Sequence, residues 1–443
     1  MNLATSADEP IELTDEFKHA LALLEAPAEQ YPLIFITGKA GTGKTTLLKY
    51  FAKHTTKSAI VLATTGLAAI HVQGQTIHSF FRLKPQNLLD FSSLKKLSKK
   101  EADAIETIIV DEASMLRADL LDAMDHILRI STRKDMAFGG KQIILFGDIF
   151  QLPPVEENRQ DGLFNLFYQM YQSPYFFDSR IVKKTQIEVF ELQHIFRQKN
   201  DKAFARLLNK VRENQITQLE LDEMLNKRVT QEEPTDLDQA VILSPTNEGV
   251  AWRNNRYLAA LPGKEFVYQA RIDPNFKKKI GPAEECLRLK RGAKIMMLNN
   301  DTDGFWVNGD IGTIYDLGED FIKVELKGVV YSVQPHAWED IKYVYDPLEQ
   351  KMKPQKNGFF IQYPLKLAWA ITIHKSQGLT FDGIYLDMGR GAFAPGQTYV
   401  ALSRCRTLEG IRLKKPITCR DIRCDQRVVS FFQNIRAQQP FLK

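Results

Sequence analysis

Gly38-Lys39-Ala40-Gly41-Thr42-Gly43-Lys44-Thr45 lies between an apolar run, Leu33-Ile34-Phe35-Ile36-Thr37, and a helical pattern from Thr45 to Lys53. Strand, glycine-rich turn and helix in that order are the context that G-x-x-x-x-G-K-[ST] requires. The glycines let successive backbone N–H groups wrap a phosphate, and the helix N-terminus adds its positive dipole. Lys44 brings a point charge to the β- and γ-phosphates, and Thr45 offers its hydroxyl to Mg²⁺. The stretch therefore marks a nucleoside-triphosphate loop at the first turn of a parallel sheet.

The flanking sequence continues that rhythm. Ala59-Ile60-Val61-Leu62-Ala63, Thr107-Ile108-Ile109-Val110 and Gln142-Ile143-Ile144-Leu145-Phe146 are short apolar runs bounded by polar residues or glycine. Such runs are expected of strands buried on both faces of a parallel sheet. Met115 to Arg133 carries a helical period in Leu116, Leu120, Leu121, Met124, Ile127 and Leu128. The fold class is α/β and doubly wound. Residues 81–106, with Lys95, Lys96, Lys99 and Lys100, break the pattern and read as an insertion, either a duplex-junction contact or a solvated lysine-rich loop.

A second α/β pattern starts near Glu191, with core strands at Ala240-Val241-Ile242-Leu243 and Gly383-Ile384-Tyr385-Leu386. Between them, residues 293–363 alternate in short strands, separated in places by the turn signals Asn308-Gly309-Asp310 and Lys327-Gly328. The expected division is a first domain over 1–191 and a second over 192–443, with the β insertion at about 299–364. No second phosphate loop follows. One nucleotide site served by both domains is expected; Arg197 and Arg404 are candidate γ-phosphate contacts from the second half, each by itself either such a contact or an ordinary surface charge.

Composition sets the outer bounds. The chain has 443 residues, 44% hydrophobic and 26% charged, with 59 Lys+Arg against 54 Asp+Glu, a net charge of +5. That excludes a largely disordered chain and a uniformly basic one, and leaves a nucleic-acid partner permitted. No run approaches the roughly 18 apolar residues of a membrane span. The acidic start, MNLATSADEPIELTDE, does not look like a targeting peptide. Cys286, Cys405, Cys419 and Cys424 form no C-x-x-C pair. A soluble, intracellular protein is expected, cytoplasmic in a bacterium.

Two further segments carry chemistry. Ile108-Ile109-Val110-Asp111-Glu112 is a strand ending in two acids. Asp111 suits Mg²⁺, and Glu112 suits activation of the attacking water. Gly147-Asp148-Ile149-Phe150-Gln151-Leu152-Pro153-Pro154 places Gln151 at a strand end, where an amide can touch the γ-phosphate or that water.

The ordered set GKAGTGKTT, ATTGLAAIHVQGQTIHSFF, IIVDEASM, GDIFQLPPV, LQHIFRQ, ILSPTNE, AITIHKSQGLTFD and YVALSRCRTLEGI resembles a superfamily 1B DNA helicase. RecD-type helicases share much of it. The segment from Leu121-Asp122 through Arg129 to Phe138-Gly139-Gly140 and Gly147-Asp148 resembles, more narrowly, the Pif family (petite integration frequency helicases). That resemblance implies two RecA-like domains, a small wedge insertion in the first and an SH3-like insertion in the second. It implies ATP-driven 5′→3′ translocation on single-stranded DNA, unwinding of tailed duplexes and of G-quadruplexes or other structured DNA, and work in repair, recombination and telomere maintenance. A monomer that can oligomerise on DNA is expected. A RecD-like subunit of a nuclease complex and an ATP-gated DNA-binding module remain alternatives.

Carried onto matching positions, the resemblance assigns ATP to Gly38, Gly41, Thr42, Gly43, Lys44, Thr45, Thr46, Gln377 and Gly378, and Mg²⁺ to Thr45 and Asp111. Catalysis falls to Lys44, Glu112, Gln151, Arg197 and Arg404. Candidate DNA contacts are Thr65, Gly66, His78, Ser79 and Phe80, then Thr246, Asn247, Thr372, His374, Lys375 and Ser376. Small hydroxyls and amides suit sequence-blind phosphate contacts. Phe80, or Phe81 beside it, is either a base-stacking face or core. His374 is either a relay between ATP and DNA or a structural histidine. One position departs from the family: where relatives carry an adenine-reading Gln in a Leu-x-x-x-Gln pattern, Leu13-Thr14-Asp15-Glu16 is followed by Phe17.

Overall fold

The computed structural model describes residues 14–84, 88–155, 162–197, 201–234, 240–276 and 281–438. Leu13 and Gln198, quoted above, and most of the acidic start lie outside them. Packing groups the chain into two compact units. One comprises Leu13–Arg197 with two returning segments, Glu339–Gly358 and Cys424–Lys443. The other contains Gln198–Trp338 and Phe359–Arg423. A linear split at 191/192 does not include those returns, because neither segment carries a local pattern that names its partner.

The first unit is built on six parallel strands: β1 (Leu33–Gly38), β2 (Ala59–Ala63), β3 (Gln75–Thr76), β4 (Thr107–Asp111), β5 (Gln142–Phe146) and β6 (Ile187–Leu192). Their order is β3-β2-β4-β5-β1-β6. β1, β4 and β5 are buried at every position, which is why they read as unbroken apolar runs. Helix α1 (Asp15–Glu25) is capped by Thr14, whose Oγ1 accepts from the Phe17 N–H at 3.2 Å. Its Phe17, Ala20 and Leu24 pack with Leu47, Leu48 and Phe51 of α2 (Lys44–His54) in one core. Helices α3 (Gly66–His71) and α4 (Ile77–Phe80) flank β3.

The segment that resembles the family most narrowly is architectural. The Asp122 carboxylate accepts from the backbone N–H groups of Arg180 and Ile181, both at 2.9 Å, at the start of helix Arg180–Lys184. Burial pushes its acidity down, and those bonds oppose the shift. Asp125 accepts from the Phe138 N–H at 2.6 Å and pairs with Arg129. Gly139 has φ +61°, and a Cβ there would stand 2.4 Å from Thr132 Oγ1 and 2.6 Å from the Leu128 carbonyl. Only glycine fits that close turn.

In the 81–106 insertion, Lys95, Lys96, Lys99 and Lys100 are exposed, while Leu97 is buried and its N–H donates to Ser131 Oγ at 2.9 Å. The C-terminal helix Gln426–Gln438 lies in the first unit. There Phe431 stacks on Phe177 at 4.4 Å, Phe432 packs on Phe150 at 5.2 Å, and Arg436 pairs with Glu191 at 3.1 Å.

The second unit has a four-stranded parallel sheet in the order Ala370–Thr372, Val241–Ser244, Ile384–Leu386, Ile411–Leu413. A five-stranded antiparallel module interrupts it, ordered Val329–Val333, Ile322–Leu326, Ile311–Leu317, Lys294–Met297, Leu365–Leu367. The architecture is thus two RecA-like parallel sheets, the second interrupted by an antiparallel module whose strands run from Lys294–Met297 to Leu365–Leu367. Among the described residues no helix is long and apolar enough to cross a membrane.

Candidate nucleotide site and nucleic-acid contacts

The loop after β1 has the backbone its glycines require. Gly41 and Gly43 have φ +83° and +81°, conformations that a side chain strains. Gly43 caps α2, so the helix N-terminus opens onto the loop. Lys44 Nζ donates to the carbonyls of Gly38 at 2.7 Å and Lys39 at 2.9 Å, curling over the cradle. Thr45 and Thr46 are exposed, and Thr42 is buried with its hydroxyl on the Lys39 carbonyl at 3.0 Å.

The acid pair ends β4 beside that cradle. Burial pushes the Asp111 carboxyl up to about 6, while the Glu112 N–H (2.9 Å) and the charges of Lys44 and Lys49 pull the other way. A buried carboxylate at a strand end offers the hard oxygen ligands that a divalent cation takes. The Asp111 carboxylate and the hydroxyl of Thr45, which follows Lys44 in the loop, are the groups that would hold Mg²⁺. Glu112 adopts the left-handed region at φ +53°, and its carbonyl accepts from Thr64 Oγ1 at 3.2 Å. A non-glycine residue held there stores strain, a common feature of reactive sites. Gly147 lets the next loop approach: a Cβ there would stand 2.9 Å from the Ala113 nitrogen. Gln151 follows, mostly buried, its N–H donating to the Asp148 carbonyl at 2.9 Å.

Arg197 belongs to this unit and lies against the cradle. The Phe196 N–H donates to the Gly41 carbonyl at 2.9 Å, and a Cβ on Gly41 would stand 2.5 Å from Arg197 Cβ. Glu16 holds the same segment, since its carboxylate accepts from the N–H groups of Gln193 at 2.6 Å and His194 at 3.3 Å. Sequence reading missed Glu16. Its partners lie 177 and 178 residues away, and no local pattern announces a carboxylate serving as a backbone clamp. Phe17, in place of the expected Gln, is buried, its ring on Gly43 and edge-on to Phe196 at 6.1 Å.

Arg404 differs from expectation. It is 2% exposed. Its Nε donates to the Val400 carbonyl at 2.9 Å, Nη2 to Ser403 Oγ at 2.8 Å, and Nη1 to the Ser376 and Leu379 carbonyls at 3.4 Å. In this conformation it is no free arginine finger: it holds the loop of Gln377 and Gly378, where Gly378 has φ +79°.

The nucleic-acid candidates sort by exposure. Thr65 caps α3, accepting from the Ala68 N–H at 3.2 Å, and Gly66 opens that helix. Ser79 is exposed, and His78 is half-buried with burial disfavouring its protonation. Phe80 is 6% exposed and Phe81 is fully buried. Base stacking by either is therefore not available here, because both rings pack into the unit. In the second unit Thr246, Asn247, His374 and Lys375 are exposed. Thr372 and Ser376 are not: they are 4% and 0% exposed. Thr372 Oγ1 accepts from the Lys375 N–H at 3.1 Å and Ser376 Oγ donates to the Ile373 carbonyl at 2.7 Å. Their hydroxyls shape the turn that presents His374 and Lys375. No cluster of three or more His, Cys, Asp or Glu side chains placed to hold a metal ion occurs among the described residues.

Comparison with known proteins agrees with this arrangement. The family description "PIF1-like helicase" matches residues 12–222. An ATP-dependent DNA helicase PIF1 of Danio rerio is 33% identical, with 92% of this chain aligned; the chain spans about three-fifths (62%) of that relative's length. The ATP-dependent DNA helicase Pif1 of Bdellovibrio bacteriovorus is 31% identical over 96% of this chain and 92% of its own. Pif1 from Bacteroides sp, solved with ADP-AlF4, superposes with a TM-score of 0.86 at 34% identity, covering 97% of this chain and 98% of that one. The same Bacteroides protein bound to single-stranded DNA gives a TM-score of 0.69 at 34% identity over 97% and 98%. By cradle, acid pair and similarity over nearly all of its residues, the chain belongs to the PIF1-like helicase family.

Proposed function

We propose that this chain is an ATP-dependent DNA helicase, translocating 5′→3′ on single-stranded DNA and unwinding tailed duplexes and structured DNA such as G-quadruplexes. The observation that carries the reading is the phosphate cradle of Gly41, Gly43 and Lys44, with the Arg197 segment bonded across it and the Asp111–Glu112 pair beside it. The relatives' names as ATP-dependent DNA helicases and the DNA-bound Bacteroides structure support the nucleic-acid partner.

In this mechanism the cradle N–H groups and Lys44 bind the triphosphate, exchanging the Lys39 and Gly38 carbonyls for phosphate oxygens. Thr45 and Asp111 would hold Mg²⁺, which when bound would supply charge neutralisation. Glu112 accepts a proton from the attacking water, and Gln151 orients that water. Arg197 places positive charge where negative charge develops in the transition state. Exposed Ser79, Thr246, Asn247 and Lys375, with half-buried Thr65, grip the backbone without reading bases. Opening a base-pair step costs about 1.4 kcal/mol on average, a modest load for one turnover.

Lys44→Ala is expected to abolish hydrolysis and unwinding while DNA binding persists. Glu112→Gln is expected to bind ATP but turn over at least about 100-fold more slowly. Unwinding by Lys44→Ala would refute the assignment. DNA binding without DNA-stimulated hydrolysis in the unmodified protein would favour an ATP-gated binding module instead.

A further inference from the structure

The end of β2 and the loop after it are held from outside their own sequence. β3 pairs only with Leu62 and Ala63 of β2, leaving the N–H of Val61 beyond the ladder. That N–H donates to the Tyr343 hydroxyl at 3.0 Å, in a buried position. Tyr343 belongs to strand His336–Asp346, whose outer part, with the returning strand, forms the Glu339–Gly358 segment of the first unit. The Tyr343 N–H in turn donates to Gln75 Oε1 at 3.0 Å. Gln75 is 4% exposed, and its Nε2 donates to Ser79 Oγ at 2.8 Å. The ring of Phe80 stands edge-on to Tyr343 at 6.3 Å. One continuous set of contacts therefore runs from Val61 through Tyr343 and Gln75 to the exposed hydroxyl of Ser79.

A buried amide whose two ends are both bonded has little freedom, and removing either partner leaves a polar group without water to replace it. Gln75 sits where its carbonyl fixes the main chain of Tyr343 while its NH₂ group fixes Ser79. Phe80, not available to stack on a base, forms the apolar back of the same clamp. Burial also raises the Tyr343 phenol further above neutrality, so it stays a neutral hydroxyl.

We infer that Tyr343, acting through Gln75, is a positioning residue for the single-strand contact at Ser79. It sets the register of the 75–80 segment and touches no nucleotide itself. The inference rests on the reading of His78 and Ser79 as DNA contacts. The full chain is titrated with oligo-dT, reading both fluorescence anisotropy and ATP turnover. Tyr343→Phe, which deletes only the hydroxyl, and Gln75→Leu are each expected to raise the half-saturating oligo-dT concentration about three- to tenfold, the range for one lost buried bond. Turnover at saturating oligo-dT is expected to stay within about twofold, and the double variant to add little to either single one. A merely structural role would lower turnover and melting temperature without moving half-saturation, and that pattern overturns the inference. If Ser79→Ala weakens binding while both Tyr343→Phe and Gln75→Leu bind normally, the positioning role is refuted and the contact reading stands. If neither Ser79→Ala nor His78→Ala weakens binding, the contact reading itself falls, and the inference with it.

Discussion

Phe196 and Gly41 are joined by a main-chain hydrogen bond of 2.9 Å, which seats Arg197 directly against the phosphate loop. The bond links two segments about 155 residues apart in sequence and sets the arginine's place by backbone geometry. Arg197→Ala should therefore act on the chemical step. We expect turnover to fall roughly 100- to 1000-fold, the scale for removing one preorganised charge donor, with little change in the KM for ATP. Gly41→Ala should lose turnover as well, because its φ of +83° and the 2.5 Å approach of Arg197 Cβ both exclude a methyl group. A KM effect without a kcat effect would place Arg197 in ground-state binding instead.

Asp111 makes a second test through stability. Its folded carboxyl titrates near 6 against an ordinary 3.8, because burial disfavours the charge. Between those values the folded chain holds a proton that the unfolded chain has released, so stability falls as pH rises across that window. Above it, the ionised carboxylate is a standing cost of up to roughly 3 kcal/mol. Asp111→Asn should therefore melt higher than the unmodified protein at pH 7.5 without nucleotide, with the gap closing as pH falls toward 4. The same variant should lose stabilisation by Mg²⁺ and ATP. A less stable Asn variant at pH 7.5 would contradict the electrostatic account.

The C-terminal helix should behave as part of the first unit. Phe432 is buried on Phe150, next to Gln151, and Phe432→Ala should cost about 3–5 kcal/mol. Arg436→Ala weakens the bond to the buried Glu191 carboxylate and should cost about 1–3 kcal/mol. Arg423→Ala, an exposed side chain, should stay within about 0.5 kcal/mol. Denaturant titration distinguishes these, and a neutral Phe432→Ala would remove the helix from the core.

How far these features could be read from sequence depended on how local their causes are. The cradle was legible because its glycines, its lysine and both flanking elements are consecutive. The parallel sheets were legible from their apolar runs, and the β insertion from its alternation and turn pairs. The burial of Phe80, Thr372 and Ser376 was not legible because a motif supplies residue types but not their exposure. The burial of Arg404 was not legible for the same reason: its carbonyl partners at 376 and 379 are set by tertiary packing. Glu16, Tyr343 and Phe432 were invisible because each acts on a segment more than a hundred residues away.

Lys375 tests the nucleic-acid face. It is exposed on a turn held by Thr372 and Ser376. If it pairs with one phosphate, Lys375→Ala should weaken binding of all single-stranded sequences alike and reduce the slope of log affinity against log salt by about 0.7. An unchanged salt slope would show that it meets no phosphate. Thr372→Val should also weaken binding, through loss of the turn, but leave the salt slope intact.

The most direct test of the central claim is ATP turnover with and without oligo-dT, read alongside strand separation of duplexes bearing a 5′ or a 3′ single-stranded tail. The account predicts hydrolysis stimulated strongly by oligo-dT and ATP-dependent separation of the 5′-tailed duplex, with both activities lost in Lys44→Ala. Hydrolysis indifferent to DNA, or separation of neither duplex by an enzyme that hydrolyses ATP, would contradict it.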